Sequence, residues 1–113
     1  MNWREYLKGK KITIIGLGLN GGALNDAKFL SKHGAVLTVT DIKTAEQLAP
    51  SVEALKDFPN IKFVLGEHHL EDFQTADLVL QPGNVPLNSP YFEEALKNNI
   101  PIFVSESLFA YLA

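Results

Sequence analysis

A glycine run directly after an apolar segment is the first feature of this sequence that could do chemistry. Gly16, Gly18 and Gly21 have the spacing G-x-G-x-x-G, which is typical of loops that hold a phosphate-bearing ligand. A backbone without Cβ atoms lets an anion come close, and the N-terminus of a following helix offers unpaired N–H groups and positive partial charge. Asn20 is a candidate N-cap whose side chain can also reach an oxygen. A tight turn that holds no ligand would show the same spacing.

Two later loops carry polar residues that could complete such a site. Asp41 comes twenty residues after Gly21 and follows an apolar segment, a position from which a carboxylate can accept hydrogen bonds from the ribose or base of a nucleotide. Lys43 lies two residues further on and faces either the nucleotide or the solvent. Residues 81–83, Gln-Pro-Gly, close another apolar segment, and the backbone N–H groups of this loop, which Gln81 and Gly83 carry, are candidates for ligand contact. The alternatives are an N-cap or an exposed residue at Asp41, and a plain turn at residues 81–83.

The elements that must position these loops are short strands alternating with helices. Apolar, β-branched segments predict strands at residues 11–15, 36–40, 61–65, 77–80 and 100–104. Helical spacing and capping residues predict helices at 3–7, 21–32, 44–55, 89–98 and 105–112, with a short helical turn at 70–73. Gly34 is expected to stop the second of these helices. Thr44 and Gln47 fit a capping box that opens the third, and Ser89 is the expected N-cap of the fourth. Alternating elements pair in parallel through right-handed crossovers. We therefore expect an α/β fold, a Rossmann-like doubly wound five-stranded parallel sheet in three α/β/α layers, with its ligand at the carboxyl ends of the strands.

Composition excludes several classes of function. The chain has 113 residues, the size of one domain, and 46% of them are hydrophobic. A net charge of −3 gives no electrostatic case for nucleic-acid binding. The absence of cysteine excludes disulfides, thiolate catalysis and cysteine-based zinc sites. No apolar run approaches the roughly 18 residues of a membrane span, and the first residues lack the apolar core of a signal peptide. We expect a cytoplasmic protein without nucleic-acid or membrane partners.

The sequence predicts neither a catalytic residue nor a metal site. It contains no Walker A loop, nucleophile elbow or catalytic triad. His68 and His69 would point to opposite sides of an extended segment, and because no third ligand is suitably spaced, we predict that both face solvent.

Residues 1–32 carry six basic side chains against two acidic ones, whereas residues 33–113 carry four against eleven. This asymmetry indicates either a solvated surface or a basic end that faces an anion.

Four segments together resemble one family of ligases. They are residues 14–22 (IIGLGLNGG), 40–43 (TDIK), 81–86 (QPGNVP) and 102–109 (IFVSESLF). The first three are similar to loops in the first domain of the UDP-N-acetylmuramoyl-L-alanine:D-glutamate ligases of the Mur ligase family, and the fourth is similar to the segment leading into their central ATPase domain. These ATP-dependent, ADP-forming acid–D-amino-acid ligases add D-glutamate to a peptidoglycan precursor. The resemblance covers almost the whole chain in the same order.

The resemblance implies a role for each loop. In this family the first domain holds the UDP part of the substrate, with the glycine loop on the diphosphate and the loop after the second strand on the uridine. Asn20 stands where members often carry Thr or Ser, and Gln81 where they often carry Ser, but an Asn side chain can still bond a phosphate oxygen. The residues expected to bind UDP are Gly16, Gly18, Leu19, Asn20, Gly21, Asp41, Ile42, Lys43, Gln81, Pro82 and Gly83.

The resemblance also implies a division of labour with other domains. The family's ATP-binding loop, metal ligands and carbamylated lysine belong to a second domain, and its amino-acid site belongs to a third. We therefore expect residues 1–113 to be a single domain for UDP-N-acetylmuramoyl-L-alanine or UDP, inactive alone and without a cofactor of its own. The full-length ligase would supply the ATP and Mg²⁺ through a central domain in cis. The residues themselves leave two alternatives open: an NAD(P)-binding domain of an oxidoreductase, because Asp41 fits an adenosine ribose equally well, and a nucleotide-sensing regulatory domain.

Overall fold

A five-stranded parallel sheet forms the centre of the computed structural model, which describes residues 3–17, 22–81 and 89–112. The strands are β1 (Lys11–Ile15), β2 (Val36–Asp41), β3 (Ile61–Leu65), β4 (Leu78–Gln81) and β5 (Ile102–Val104). The helices are α1 (Trp3–Leu7), α2 (Gly22–Lys32), α3 (Ala49–Ala54), α4 (Pro90–Lys97) and α5 (Ser105–Leu112), with a 3₁₀ helix at Leu70–Phe73. The strand order is β3-β2-β1-β4-β5. The predicted fold class is confirmed.

Both faces of the sheet are buried by helices. Side chains of successive strand residues point to opposite faces, so Ile14 packs in one apolar cluster with Leu30 of α2, whereas its neighbour Ile15 packs in another with Phe92 of α4. The 3₁₀ helix adds Phe73 to the second cluster. Covered faces explain why the strands are apolar almost throughout. Of the buried polar residues on the described strands, Thr40, Asp41 and Gln81 lie where the strands end, whereas Thr13 lies within β1.

Helix α2 ends where Gly34 was expected to stop it. Gly34 has φ +93°, and its N–H donates to the carbonyl of Ser31 at 3.1 Å. The N–H of Ala35 donates to the carbonyl of Leu30, also at 3.1 Å. These two bonds form a Schellman motif, which satisfies the last carbonyls of the helix and needs a residue with positive φ. The chain then turns directly into β2.

Helix α3 begins later than the sequence predicts. The expected capping interactions form, since the N–H of Thr44 donates to Oε1 of Gln47 at 2.9 Å and the N–H of Gln47 donates to Oγ1 of Thr44 at 3.2 Å. The α-helix nevertheless starts at Ala49 and not at residue 44. Pro50 has no N–H to donate to the carbonyl four residues earlier, and its ring would clash there. A proline fits only the first turn, so the predicted start of this helix is wrong.

Replacement of Gly34 tests the role of its positive φ in the stability of the fold. We expect Gly34→Ala to lower the free energy of unfolding by about 1–2 kcal/mol, because an L side chain is strained in the left-handed region. Gly34→Asn should lose less, since this chain already places Asn60 and Asn99 at φ 64° and 60°. Both variants add the same Cβ, 3.4 Å from the Cα of Lys8. Equal losses in urea unfolding would assign the cost to that contact and not to φ.

Candidate functional site

The carboxyl ends of the strands bring the described members of the predicted site to one edge of the sheet. Ile14 lies in register with Leu80 of β4, and Ile15 with Thr40 of β2. Gly16 and Asp41 therefore follow at the same level on β1 and β2, and Gln81 on β4 lies one residue earlier, level with Ile15. This is the point where β1 is flanked by β2 on one side and β4 on the other, the topological switch point at which ligands bind in such sheets.

Gly16 carries the chain out of the sheet in a left-handed conformation. Its φ is +90°, and its N–H donates to the carbonyl of Thr40 at 2.8 Å. A positive φ favours glycine at this position. The first residue of the glycine loop is thereby still hydrogen-bonded to β2, one residue beyond the end of β1.

Asp41 joins the start of the glycine loop to the loop that follows β2. Its Oδ2 accepts a hydrogen bond from the N–H of Leu17, and its Oδ1 accepts one from the N–H of Lys43, both at 2.9 Å. The residue is only 8% exposed, and hydrogen bonds from backbone N–H groups to a carboxylate are stronger than bonds between neutral groups. Asp41 thus has a structural role that the sequence did not reveal. Its contact with a ribose or base stays a prediction.

The structure describes some of the other predicted contacts and not the rest. Ile42 is 68% exposed at the edge of the sheet, and Lys43 beside it is exposed. Gln81 is buried as the last residue of β4 and lies in register with Val104 of β5. The remaining predicted contacts lie outside the described residues: Gly18, Leu19, Asn20, Gly21, Pro82 and Gly83.

His68 lies against this edge and is only partly exposed. Its Nδ1 is 2.7 Å from Oγ1 of Thr40, which is fully buried. Its ring contacts the ring of Tyr91 in α4, with centroids 4.9 Å apart. His69 does point the other way, exposed, with Nε2 3.1 Å from Oε1 of Glu67. The predicted exposure is confirmed for His69, whereas His68 is half-buried, so the prediction that it faces solvent is only partly correct.

The reason for this placement is a backbone turn after β3. Gly66 has φ +86°, and its N–H donates to the carbonyls of Asp41 at 2.9 Å and Lys43 at 2.8 Å. Glu67 then forms an antiparallel bridge with Asp41, which folds the next residue back over the end of β2. The only signal in the sequence was a glycine, which indicates the end of a strand but not the direction of the chain beyond it.

Burial shifts the titration of His68. Loss of solvent lowers the pKa of its imidazole below the ordinary value of 6.5, and the negative charge of Asp41 opposes this shift without cancelling it. The imidazole is therefore neutral at pH 7.

The basic residues of the first segment lie away from this edge. Lys10 and Lys11 stand at the amino end of β1, and Lys28 and Lys32 lie in the second half of α2. A strand of five residues separates the two edges by about 15 Å, which exceeds the screening length of about 8 Å at physiological salt. This placement favours the solvated-surface interpretation of the charge asymmetry.

Within residues 3–17, 22–81 and 89–112, no group of three His, Asp or Glu side chains could hold a metal, and no helix is long and apolar enough to span a membrane.

A family model and several curated proteins match this chain. Residues 10–104 match the model "Mur ligase MurD-like, N-terminal domain". The UDP-N-acetylmuramoylalanine–D-glutamate ligase of Treponema pallidum (strain Nichols) is 49% identical over 78 residues, 69% of this chain and 15% of that protein. The ligase of the same name from Borreliella burgdorferi (strain ZS7) is 41% identical over 103 residues, 88% of this chain and 23% of that protein. The chain thus spans about a fifth of the length of these relatives.

Solved structures show the same fold. A pseudomurein peptide ligase type C from Methanothermus fervidus superposes with a TM-score of 0.69 at 27% identity, over 91% of this chain and 20% of that one. SirC, a precorrin-2 dehydrogenase, gives a TM-score of 0.55 at 18% identity, over 88% of this chain and 46% of that one. The second likeness shows the fold alone.

Replacement of Asp41 tests its structural role. Asp41→Asn keeps one side-chain oxygen but replaces the other with an NH₂ group, which cannot accept a bond from Leu17 or Lys43. We expect the free energy of unfolding to fall by about 1–3 kcal/mol. Lys43→Ala, which removes only an exposed side chain beside Asp41, is the matched control and should stay within about 0.5 kcal/mol of wild type. Denaturant unfolding measures both, and equal stability of Asp41→Asn and wild type would contradict the role.

The burial of His68 predicts a dependence of stability on pH. Unfolded His68 binds a proton as the pH falls below about 6.5, whereas folded His68 resists protonation until lower pH. The unfolded state then holds more protons, so stability falls as the pH drops through 6.5 and levels off below the folded pKa. Thermal unfolding between pH 7.5 and 5.5 measures this pH-dependent loss of stability. We expect the part due to His68 to disappear in His68→Phe and to persist in His69→Phe. Parallel curves for all three proteins would contradict the burial of His68.

Proposed function

Because the chain belongs to the MurD-like Mur ligases as their N-terminal domain, we propose that it binds the UDP end of UDP-N-acetylmuramoyl-L-alanine in a ligase that adds D-glutamate during peptidoglycan synthesis. The observation that carries the proposal is the attachment of Leu17 to the carboxylate of Asp41. It holds the start of the glycine loop beside the loop at residues 41–43, so that one ligand with a diphosphate and a nucleoside would contact both.

Backbone groups, more than lysines, would hold the diphosphate. Helix α2 begins at Gly22, directly after the glycine loop, and runs for 11 residues. Its first N–H groups have no partners within the helix, and its dipole favours an anion at this end. Because Lys10, Lys11, Lys28 and Lys32 lie elsewhere, side-chain charge from this segment adds little to the proposed site.

Recognition of the UDP end would serve a reaction that takes place elsewhere in the ligase. The curated relatives are four to seven times longer than their matched parts, which cover 15–23% of their length. In our proposal the remainder of the ligase supplies the sites for ATP, Mg²⁺ and D-glutamate. Binding energy from the non-reacting UDP end then positions the reacting carboxylate, which converts an encounter in solution into a step within one complex. This chain contributes position and no catalytic group.

An NAD(P)-binding domain is the competing interpretation. The glycine loop and Asp41 suit an adenosine ribose as well as a uridine, and the likeness to a precorrin-2 dehydrogenase is a likeness of fold. A shared fold does not specify a ligand. The family match over residues 10–104 favours the UDP ligand, and a direct comparison of the two nucleotides decides between them.

Titration with UDP tests the proposal. A nucleotide of about 25 heavy atoms, at about 0.3 kcal/mol each, reaches at most micromolar affinity. Without the rest of the ligase, we expect a Kd of roughly 0.1–1 mM. Amide chemical shifts should change together in residues 16–22, 41–43, 81, 83 and 84, since Pro82 has no N–H. Gly18→Val should abolish binding because a branched side chain would occupy the approach to the loop.

The control for that variant is Lys62→Val, an exposed branched replacement on β3, which should bind UDP as wild type does. Changes in the same amides at lower concentrations of NAD than of UDP would replace the ligase proposal with the dehydrogenase one. No response to either nucleotide would leave the glycine run as a turn without a ligand.

A further inference from the structure

A polar and aromatic cluster lies beside the proposed site without belonging to the set of predicted ligand contacts. Its members are Thr40 at the end of β2, His68 after β3, Phe73 of the 3₁₀ helix and Tyr91 of α4. Their rings meet edge-on or tilted, with centroids 4.9 Å apart for His68 and Tyr91, 5.4 Å for Phe73 and Tyr91, and 6.5 Å for His68 and Phe73. The cluster therefore links four separate segments of the chain.

One side of the His68 imidazole is fixed by hydrogen bonds. Oγ1 of Thr40 donates to the carbonyl of Glu67 at 3.3 Å and lies 2.7 Å from Nδ1 of His68. A hydroxyl has one proton, so Thr40 either donates to the Glu67 carbonyl and accepts from the Nδ1–H of His68, or donates to an unprotonated Nδ1. In the first arrangement every group in this chain of bonds is satisfied. The bonds hold His68 against the residue that directly precedes Asp41.

The other side of the imidazole packs on the first turn of α4. Tyr91 is the second residue of that helix, and its N–H donates to Oγ of the N-cap Ser89 at 3.2 Å. Helix α4 follows the segment that carries Pro82 and Gly83, two of the predicted contacts. His68 thus lies between the end of β2 and the start of α4.

We propose that His68 is a positioning residue of the UDP site: its hydrogen bond to Thr40 and its ring contact with Tyr91 fix the loop at residues 41–43 relative to the start of α4. The inference rests on the proposed function and adds a residue to it. His68 needs no contact with the ligand for this role. Its effect reaches the uridine side through Thr40 and Asp41, and the opposite side through Tyr91.

Two single variants remove the same hydrogen bond from its two ends. His68→Phe keeps an aromatic ring against Tyr91, and Thr40→Val keeps the shape of the buried threonine. In each, we expect the Kd for UDP, measured under conditions where circular dichroism shows a folded protein, to rise about three- to tenfold. The double variant should bind no more weakly than the weaker single variant, because the two residues act through one interaction. Thr40→Val also provides the test if His68→Phe fails to fold.

Two further variants separate positioning from general stability. His68→Asn places an amide donor near the position of Nδ1 and should recover part of the affinity. His69→Phe changes the exposed neighbouring histidine and should bind UDP as wild type does. In the His68 and Thr40 variants, the UDP-bound amide shifts of Lys43 and Tyr91 should move away from their wild-type values.

The outcomes distinguish this inference from the proposed function. If wild type does not bind UDP at about 10 mM, ten times the weakest expected Kd, both are overturned. If wild type binds and His68→Phe and Thr40→Val bind equally well, the inference alone is overturned. A loss of unfolding free energy without a change in Kd would give His68 a structural role only, which also overturns it.

Discussion

The carboxylate of Asp41 holds together the edge on which the rest of this domain's arrangement depends. Its side chain accepts the N–H groups of Leu17 and Lys43, and its backbone carbonyl accepts the N–H of Gly66. One residue thus joins the chain segments that leave β1, β2 and β3. A carboxylate that is only 8% exposed would be costly without such donors. The hydrogen bonds that offset the cost of burying this carboxylate therefore also hold the three loops in place.

The sheet itself explains why the polar groups collect at this edge. Helices bury both of its faces, so the strand interiors must be apolar, and Ile14 and Ile15 pack on opposite sides of β1. Thr13 within β1 is satisfied by donating to the carbonyl of Asp72 at 2.7 Å, but the other buried polar side chains of the described strands lie where the strands end and the backbone turns away. At that edge Thr40, Asp41 and Gln81 are buried, and His68, which bonds Thr40, and Leu17, which bonds Asp41, belong to neighbouring segments. The amino edge carries Lys10 and Lys11, which explains how a chain of net charge −3 has a basic first segment.

Family membership says more about the ligand than the fold does. The same sheet superposes on a peptide ligase and on a dehydrogenase, so the doubly wound fold alone supports either interpretation. The family match extends over residues 10–104 and includes the segments that connect the strands. A module that holds the distant end of a substrate needs a fixed site and no catalytic side chain. The bonds around Asp41 and the cluster around His68 give this edge such a fixed geometry.

Local patterns in the sequence determined the strands, the stop of α2 at Gly34 and the N-cap of α4 at Ser89. They also determined the edge at which the described members of the predicted site meet. Spacing, caps and parallel pairing follow from short segments and general topology. The late start of α3 was also local, since Pro50 lies within that segment. The partners of Asp41 and the burial of His68 were decided only by the tertiary structure. Asp41 meets Leu17 across 24 residues, and His68 meets Thr40 across 28. Such contacts depend on which strands become neighbours and on how the chain turns after Gly66, and no local pattern of residue types contains that information.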